Sequence, residues 1–196
     1  MMREGRRIAI RGVVQGVGFR PWVYRLARER GIAGRVRNGT EGVTIDAFGT
    51  DAALNGFLRS LTEAPPPAAR IHAVRWDPIA AEPGEGFAIE ESREDGGRRV
   101  SIPPDLATCD DCLEEIFDPA DRRYRYPFTN CTNCGPRFTI ARDVPYDRPS
   151  TSMAPFRMCE ACQREYDDPC DRRFHAQPNA CPLCGPRLRA LSASGE

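Results

Sequence analysis

The spacing of apolar side chains changes several times within residues 1–92, and each change marks an element. Arg6 to Val14 reads as a strand, with Ile8, Ile10 and Gly12 on one face. Pro21 suits the first turn of a helix. Trp22, Val23, Leu26 and Ala27 form its apolar stripe, and Gly31 stops it. Arg35–Asn38 and the alternating Val43, Ile45 and Ala47 read as a hairpin that turns at Gly39-Thr40-Glu41-Gly42. Between Asp51 and Glu63, Leu54, Phe57, Leu58 and Leu61 fall at helical spacing, and Pro65-Pro66-Pro67 ends the run. Ile71–Trp76 and Phe87–Glu91 supply the last strands. The order β-α-β-β-α-β, with room for an extra short strand, predicts an α+β fold of the ferredoxin-like split type.

Beyond residue 92 this patterning stops. Residues 93–107 (REDGGRRVSIPPDLA) have a linker composition, polar with Gly and Pro. Residues 108–190 carry a few large apolar side chains, Phe117, Tyr124, Phe128, Phe138, Tyr166 and Phe174, too sparse for a self-sufficient core. Residues 191–196 read as a tail.

Cysteine takes the place of the missing core. Cys109/Cys112, Cys131/Cys134, Cys159/Cys162 and Cys181/Cys184 form two C-x2-C-x18-C-x2-C units offset by 50 positions. Four thiolates per unit are what a closed tetrahedral zinc site requires, so two structural zinc ions are expected. Such an ion contributes ~10–16 kcal/mol of apparent folding free energy. The repeat extends to Asp118-Pro119 and Asp168-Pro169, to Asp121-Arg122-Arg123-Tyr124 and Asp171-Arg172-Arg173-Phe174, and to Gly135-Pro136-Arg137 and Gly185-Pro186-Arg187. Duplication favours one ion per unit over interleaved pairs. The glycines are expected to bring backbone N–H groups to the thiolates, and Arg137 and Arg187 to offset their charge. Cys170, opposite Ala120, and His175, opposite Arg125, break the repeat and are not expected as ligands. A disulfide framework is the weaker reading in a chain that shows no secretion signal, and no thioredoxin-like βαβ context supports redox pairs.

Charge narrows the field. Acidic and basic residues balance at 28 each, with 13 basic and 11 acidic in residues 1–92 and 15 and 17 in the rest. Nucleic-acid binding lacks a basic field, leaving only the Arg-Arg pairs at 122–123 and 172–173 as a local patch. With neither an apolar leader nor a run of 18 apolar residues, a soluble cytoplasmic protein without membrane contact is expected.

The front half has its own chemistry. Gly12-Val13-Val14-Gln15-Gly16-Val17-Gly18-Phe19-Arg20 joins the first strand to the first helix. Its glycines permit tight turns, and a helix N-terminus favours an anion. From Gly5 through Arg28 there are six arginines and no acidic residue. Arg20 is placed to grip phosphate oxygens. Neither the Walker pattern nor G-x-G-x-x-G is present.

The segment GVVQGVGFRPWVYRLARERGIAGRVRNGTEGV resembles the acylphosphatase signature. That resemblance implies an acylphosphatase-like fold and metal-free hydrolysis of acyl phosphates. It implies that Arg20 binds phosphate, that Asn38 orients the attacking water, and that Gln15, Gly16, Val17, Gly18 and Phe19 form the backbone cradle. With the two cysteine units, and with IPPDLATCDDC, DPADRRYRYPFTNCTNCGPR, MAPF and DRRFHAQPNACPLCGPR, the chain resembles the N-terminal portion of the hydrogenase maturation carbamoyltransferase family, HypF. This implies hydrolysis of carbamoyl phosphate to carbamate and phosphate, feeding carbamoyl transfer to a HypE-type partner for the cyanide ligands of nickel-iron hydrogenase. The family's adenylation and transfer domains follow the zinc units, and this chain ends at Glu196 before them. The competing expectation is a non-catalytic, zinc-braced docking module with a vestigial anion loop.

Overall fold

The computed structural model describes residues 3–92, 104–135 and 137–192. Most of the linker expected at 93–107 (residues 93–103), Pro136 and the tail residues 193–196 lie outside the described residues. Five strands form one sheet in the order β4-β1-β3-β2-β5. They are β1 (Glu4–Val13), β2 (Ala33–Gly39), β3 (Gly42–Gly49), β4 (Arg70–Ile79) and β5 (Phe87–Ile89). Helix α1 (Phe19–Glu29) connects β1 to β2, and α2 (Asp51–Glu63) connects β3 to β4. All neighbours are antiparallel except β5, which pairs parallel with β2.

Register follows from the alternation. Ile8 lies opposite Ile45, Ile10 opposite Val43, and Val36 opposite Ile45. These side chains share one face and pack with Val23, Leu26, Leu54, Phe57 and Leu61 of the helices in a single apolar cluster. Truncating a fully buried side chain there, such as Phe57 to Ala, costs about 3–5 kcal/mol. Thr50 caps α2 by accepting from the Ala53 N–H at 3.3 Å. The β2–β3 turn is tight, since Gly39 pairs directly with Gly42.

Two details depart from the pattern. The alternation of β1 breaks at a bulge between Arg11 and Gly12, so Gly12 does not continue the face of Ile8 and Ile10. Its φ of 135° admits a passage in which a Cβ would lie 2.0 Å from the Arg70 carbonyl oxygen. On the opposite face of the sheet, Asp46 is fully buried and pairs with Arg7, Arg35 and Arg37. Burial pushes its carboxyl up, but these guanidinium contacts win and hold it below its usual value.

The second half is built from two copies of one unit, with helices α3 (Asp110–Phe117) and α4 (Glu160–Asp167) starting after equivalent cysteines. The copies agree in detail. Asp118 accepts from the Ala120 N–H and Asp168 from the Cys170 N–H. Arg125 and His175 both adopt left-handed backbone, at φ 58° and 54°. Apolar support is thin, as the composition requires. Phe117, Tyr124, Phe128 and Phe138 are exposed, and of the six aromatics singled out only Phe174 is buried; the small core is Tyr126, Met153 and Ala180 instead. No helix is long and apolar enough to cross a membrane among the described residues.

Candidate functional site

The two halves meet over the glycine loop. Gly16 and Gly18 take positive φ, 73° and 70°, and Gly18 caps α1 in the left-handed region. A Cβ on Gly18 would lie 2.9 Å from the Thr132 Cβ, so glycine there admits the second half as well as the turn. No hydrogen bond from the backbone N–H groups of Gly16, Val17 or Phe19 forms among the described residues, which leaves donors at the mouth of α1. The side chains of Val17 and Phe19 are buried in the core, so the loop offers its backbone.

Gln15 serves a different end. Its side chain is 1% exposed, and Nε2 donates to the carbonyls of Gly39 (2.8 Å) and Gly42 (2.9 Å). Its Oε1 accepts from the Tyr146 N–H at 3.0 Å. One amide therefore ties the loop to the β2–β3 turn and to the second half.

Arg20 and Asn38 are both buried and adjacent. In the amide orientation that satisfies both groups, the Asn38 oxygen accepts from Arg20 Nη2 at 3.1 Å and from Nε at 3.2 Å. Arg20 Nη2 also donates to Asp147 Oδ1 at 2.6 Å, and Nη1 lies 3.4 Å from Ser92 Oγ. The guanidinium stands between a small cavity of about 20 Å³ against the loop and a groove of about 460 Å³ lined by Ser92, Asp147, Tyr166, His175 and Gln177. Burial, then the nearby Arg20 charge, push His175 down to about 4, so it is neutral near pH 7. Tyr146, Asp147 and His175 are contributions that sequence reasoning missed. Asp147 lies 127 positions from Arg20, and no local pattern announces it.

The cysteines gather by unit, with Cys109, Cys112, Cys131 and Cys134 in one cluster and Cys159, Cys162, Cys181 and Cys184 in the other, each with its Sγ atoms within 4.8 Å. Sulfur separations are 3.6 Å for Cys109–Cys131, 4.0 Å for Cys112–Cys134, 3.8 Å for Cys159–Cys181 and 3.6 Å for Cys162–Cys184. A tetrahedron with ~2.3 Å metal–sulfur bonds has edges of about 3.8 Å, so the clusters fit a four-thiolate ion. They are far too wide for disulfides, whose sulfurs lie ~2.05 Å apart. Neither Cys170, which is exposed, nor His175 belongs to a cluster.

Compensating charge comes from the other unit. Arg122 reaches Cys162 Sγ at 3.3 Å, and its repeat counterpart Arg172 reaches Cys112 Sγ at 2.9 Å. Arg123 forks onto Glu165 (2.9 and 2.6 Å), as Arg173 does onto Glu115. Burial raises Glu165, but Arg123 and Arg122 outweigh it and hold the carboxyl at about 2. Arg137 contacts its own unit more loosely, with Nη2 3.8 Å from Cys134 Sγ. Gly135 and Gly185 donate their N–H groups to the carbonyls of Cys131 and Cys181; the Asn133 and Cys131 N–H groups approach thiolates instead.

Comparison with known proteins agrees with both halves. Residues 6–89 match the acylphosphatase family, and residues 108–141 and 158–191 match the HypF finger. Over 152 residues the chain is 56% identical to the carbamoyltransferase HypF2 of Cupriavidus necator, covering 76% of this chain and 19% of that protein. It is 42% identical to an acylphosphatase of Nitrobacter hamburgensis, covering 42% of this chain and 90% of that protein. A crystal structure of full-length HypF in the phosphate- and nucleotide-bound form superposes with a TM-score of 0.89 at 49% identity, covering 94% of this chain and 24% of that one. The chain thus spans about a fifth of the length of the curated carbamoyltransferases it matches. With an acylphosphatase domain followed by paired fingers, the chain belongs to the HypF carbamoyltransferase family.

Proposed function

We propose that the front half hydrolyses an acyl phosphate, namely carbamoyl phosphate, to carbamate and phosphate. The observation that carries this is the Arg20–Asn38 pair at the mouth of a glycine loop with unpaired N–H groups. Arg20 and the loop N–H groups hold the phosphoryl oxygens, and Asn38 orients a water for in-line attack. As the water oxygen bonds to phosphorus, the phosphorus–acyl oxygen bond breaks and carbamate leaves. The water's proton passes to a phosphoryl oxygen, since an amide side chain is no base near neutral pH. Such a reaction needs positioning and charge stabilisation more than covalent help, and no metal at the phosphate site.

The fingers hold two structural zinc ions through the eight paired cysteines. Within the longer relatives' scheme, the product feeds carbamoyl transfer to a HypE-type partner for the cyanide ligands of nickel-iron hydrogenase, in the cytoplasm.

Phosphate release from carbamoyl phosphate tests the reading. Arg20→Ala and Asn38→Ala are each expected to lower kcat/KM about 10²–10³-fold. Equal turnover by the parent and both variants would remove the assignment. The ion pair that Asp147 already makes with Arg20 favours one second reading, a vestigial anion loop in a docking module. On that reading the parent chain binds no inorganic phosphate.

A further inference from the structure

We propose that Asp147, carried by the finger-bearing half, is a specificity-determining residue of the phosphate site. It selects acyl phosphates whose acyl group bears N–H donors. The inference rests on the hydrolase reading above and names what that reading leaves open, the origin of its choice among acyl groups.

Asp147 Oδ1 is committed to Arg20 Nη2 at 2.6 Å, while Oδ2 accepts no hydrogen bond among the described residues. The carboxylate lines the groove beside Ser92 and His175. Its neighbours on both sides are pinned. The Tyr146 N–H is held by Gln15, and the Tyr146 hydroxyl accepts from the Arg137 N–H at 3.1 Å. The Arg148 N–H donates to Gln177 Oε1 at 2.8 Å, and its guanidinium donates to the carbonyls of Gln177, Asn179 and Phe156. The carboxylate is thus placed by the fold before any ligand arrives.

A fixed anion on the phosphate-binding guanidinium has two effects of opposite sign. It repels a second anion there, which weakens bare phosphate and every acyl phosphate alike. It also presents an unsatisfied acceptor beside the phosphoryl group. Carbamoyl phosphate carries amide N–H groups at that place, whereas acetyl phosphate carries a methyl of similar size. A site that expects a hydrogen bond rejects the analogue lacking it. Partial exposure of Asp147, 22% of its side chain, limits the discrimination to about tenfold.

The test compares kcat/KM for carbamoyl and acetyl phosphate in the full chain with its metal in place, with inorganic phosphate as inhibitor. The parent should prefer carbamoyl phosphate about tenfold, and Asp147→Ala should bring the ratio towards unity while phosphate inhibits more tightly. Asp147→Asn keeps the shape, but its one oxygen stays on Arg20 and its NH2 faces the acyl group, so it should lose the preference as alanine does and also tighten phosphate. Should the alanine variant not fold, the asparagine variant decides: unaltered phosphate inhibition and an unaltered ratio overturn the proposal. A parallel loss on both substrates, the mark of a mere strut, overturns it too. Absence of hydrolysis of either substrate by the metal-loaded parent would instead remove the hydrolase reading, and this inference with it.

Discussion

Replacing Gln15 with alanine separates a ligand from a tie. The residue stands in the glycine loop, where the family resemblance places a phosphate cradle, yet its side chain is spent on protein groups. Removing it orphans the carbonyls of Gly39 and Gly42 and the N–H of Tyr146. Each buried group left unpaired costs about 1 kcal/mol or more, so the loss sums to about 3 kcal/mol. For a chain of this size that lowers Tm by about 6–12 °C. Gln15→Glu should be at least as damaging, because a carboxylate has no proton to offer the two carbonyls. Urea and thermal unfolding of the metal-loaded chain read the stability, and carbamoyl phosphate hydrolysis reads the site. A loss below about 1 kcal/mol together with a KM raised more than about tenfold would refute the reasoning and make the amide a substrate ligand.

Other expectations follow from the same geometry. Chelation should melt the finger half and leave the front half folded; both tryptophans, Trp22 and Trp76, lie in the front half, so their fluorescence should persist while near-UV signal from Tyr126 and Tyr146 is lost. Retention of that tyrosine signal without metal would speak against structural ions. Arg172→Ala should weaken metal binding about tenfold or more at the Cys109–Cys134 cluster and spare the other, and Arg122→Ala should do the reverse, as read by chelator competition. Equal effects on both clusters would refute the crossed contacts. His175 should titrate near 4 by NMR, against its usual 6.5. Because the unfolded chain takes up that proton first, its contribution to stability is complete above pH 6.5 and is lost as pH falls towards 4. A His175→Gln variant with the same slope over that window would count against it.

What was legible in the sequence was local or periodic. The run from Asp51 to Glu63 fixes its own ends, through Thr50 before it and the prolines after it. The Gly39–Gly42 turn sets the pairing of β2 with β3. The offset of 50 places the thiolates in two groups by unit. Contacts between distant segments left no such trace. Asp46 sits at a position that alternation assigns to solvent, and it is buried only because three arginines fold over it. Arg122 and Arg172 repeat visibly, but nothing in the repeat says that each serves the other copy's sulfur. Asp147 belongs to the stretch between the units, where no duplicate exists for comparison.

The matched left-handed corners at Arg125 and His175 carry a consequence for how such a protein diversifies. A copied motif inherits its backbone bends whole, whatever residue sits at the vertex. One copy keeps a guanidinium at its corner, beside the Tyr124 ring. The other turns an imidazole toward the groove by Arg20. Because the bend is the same in both copies, the side chain at either vertex can differ without disturbing the architecture.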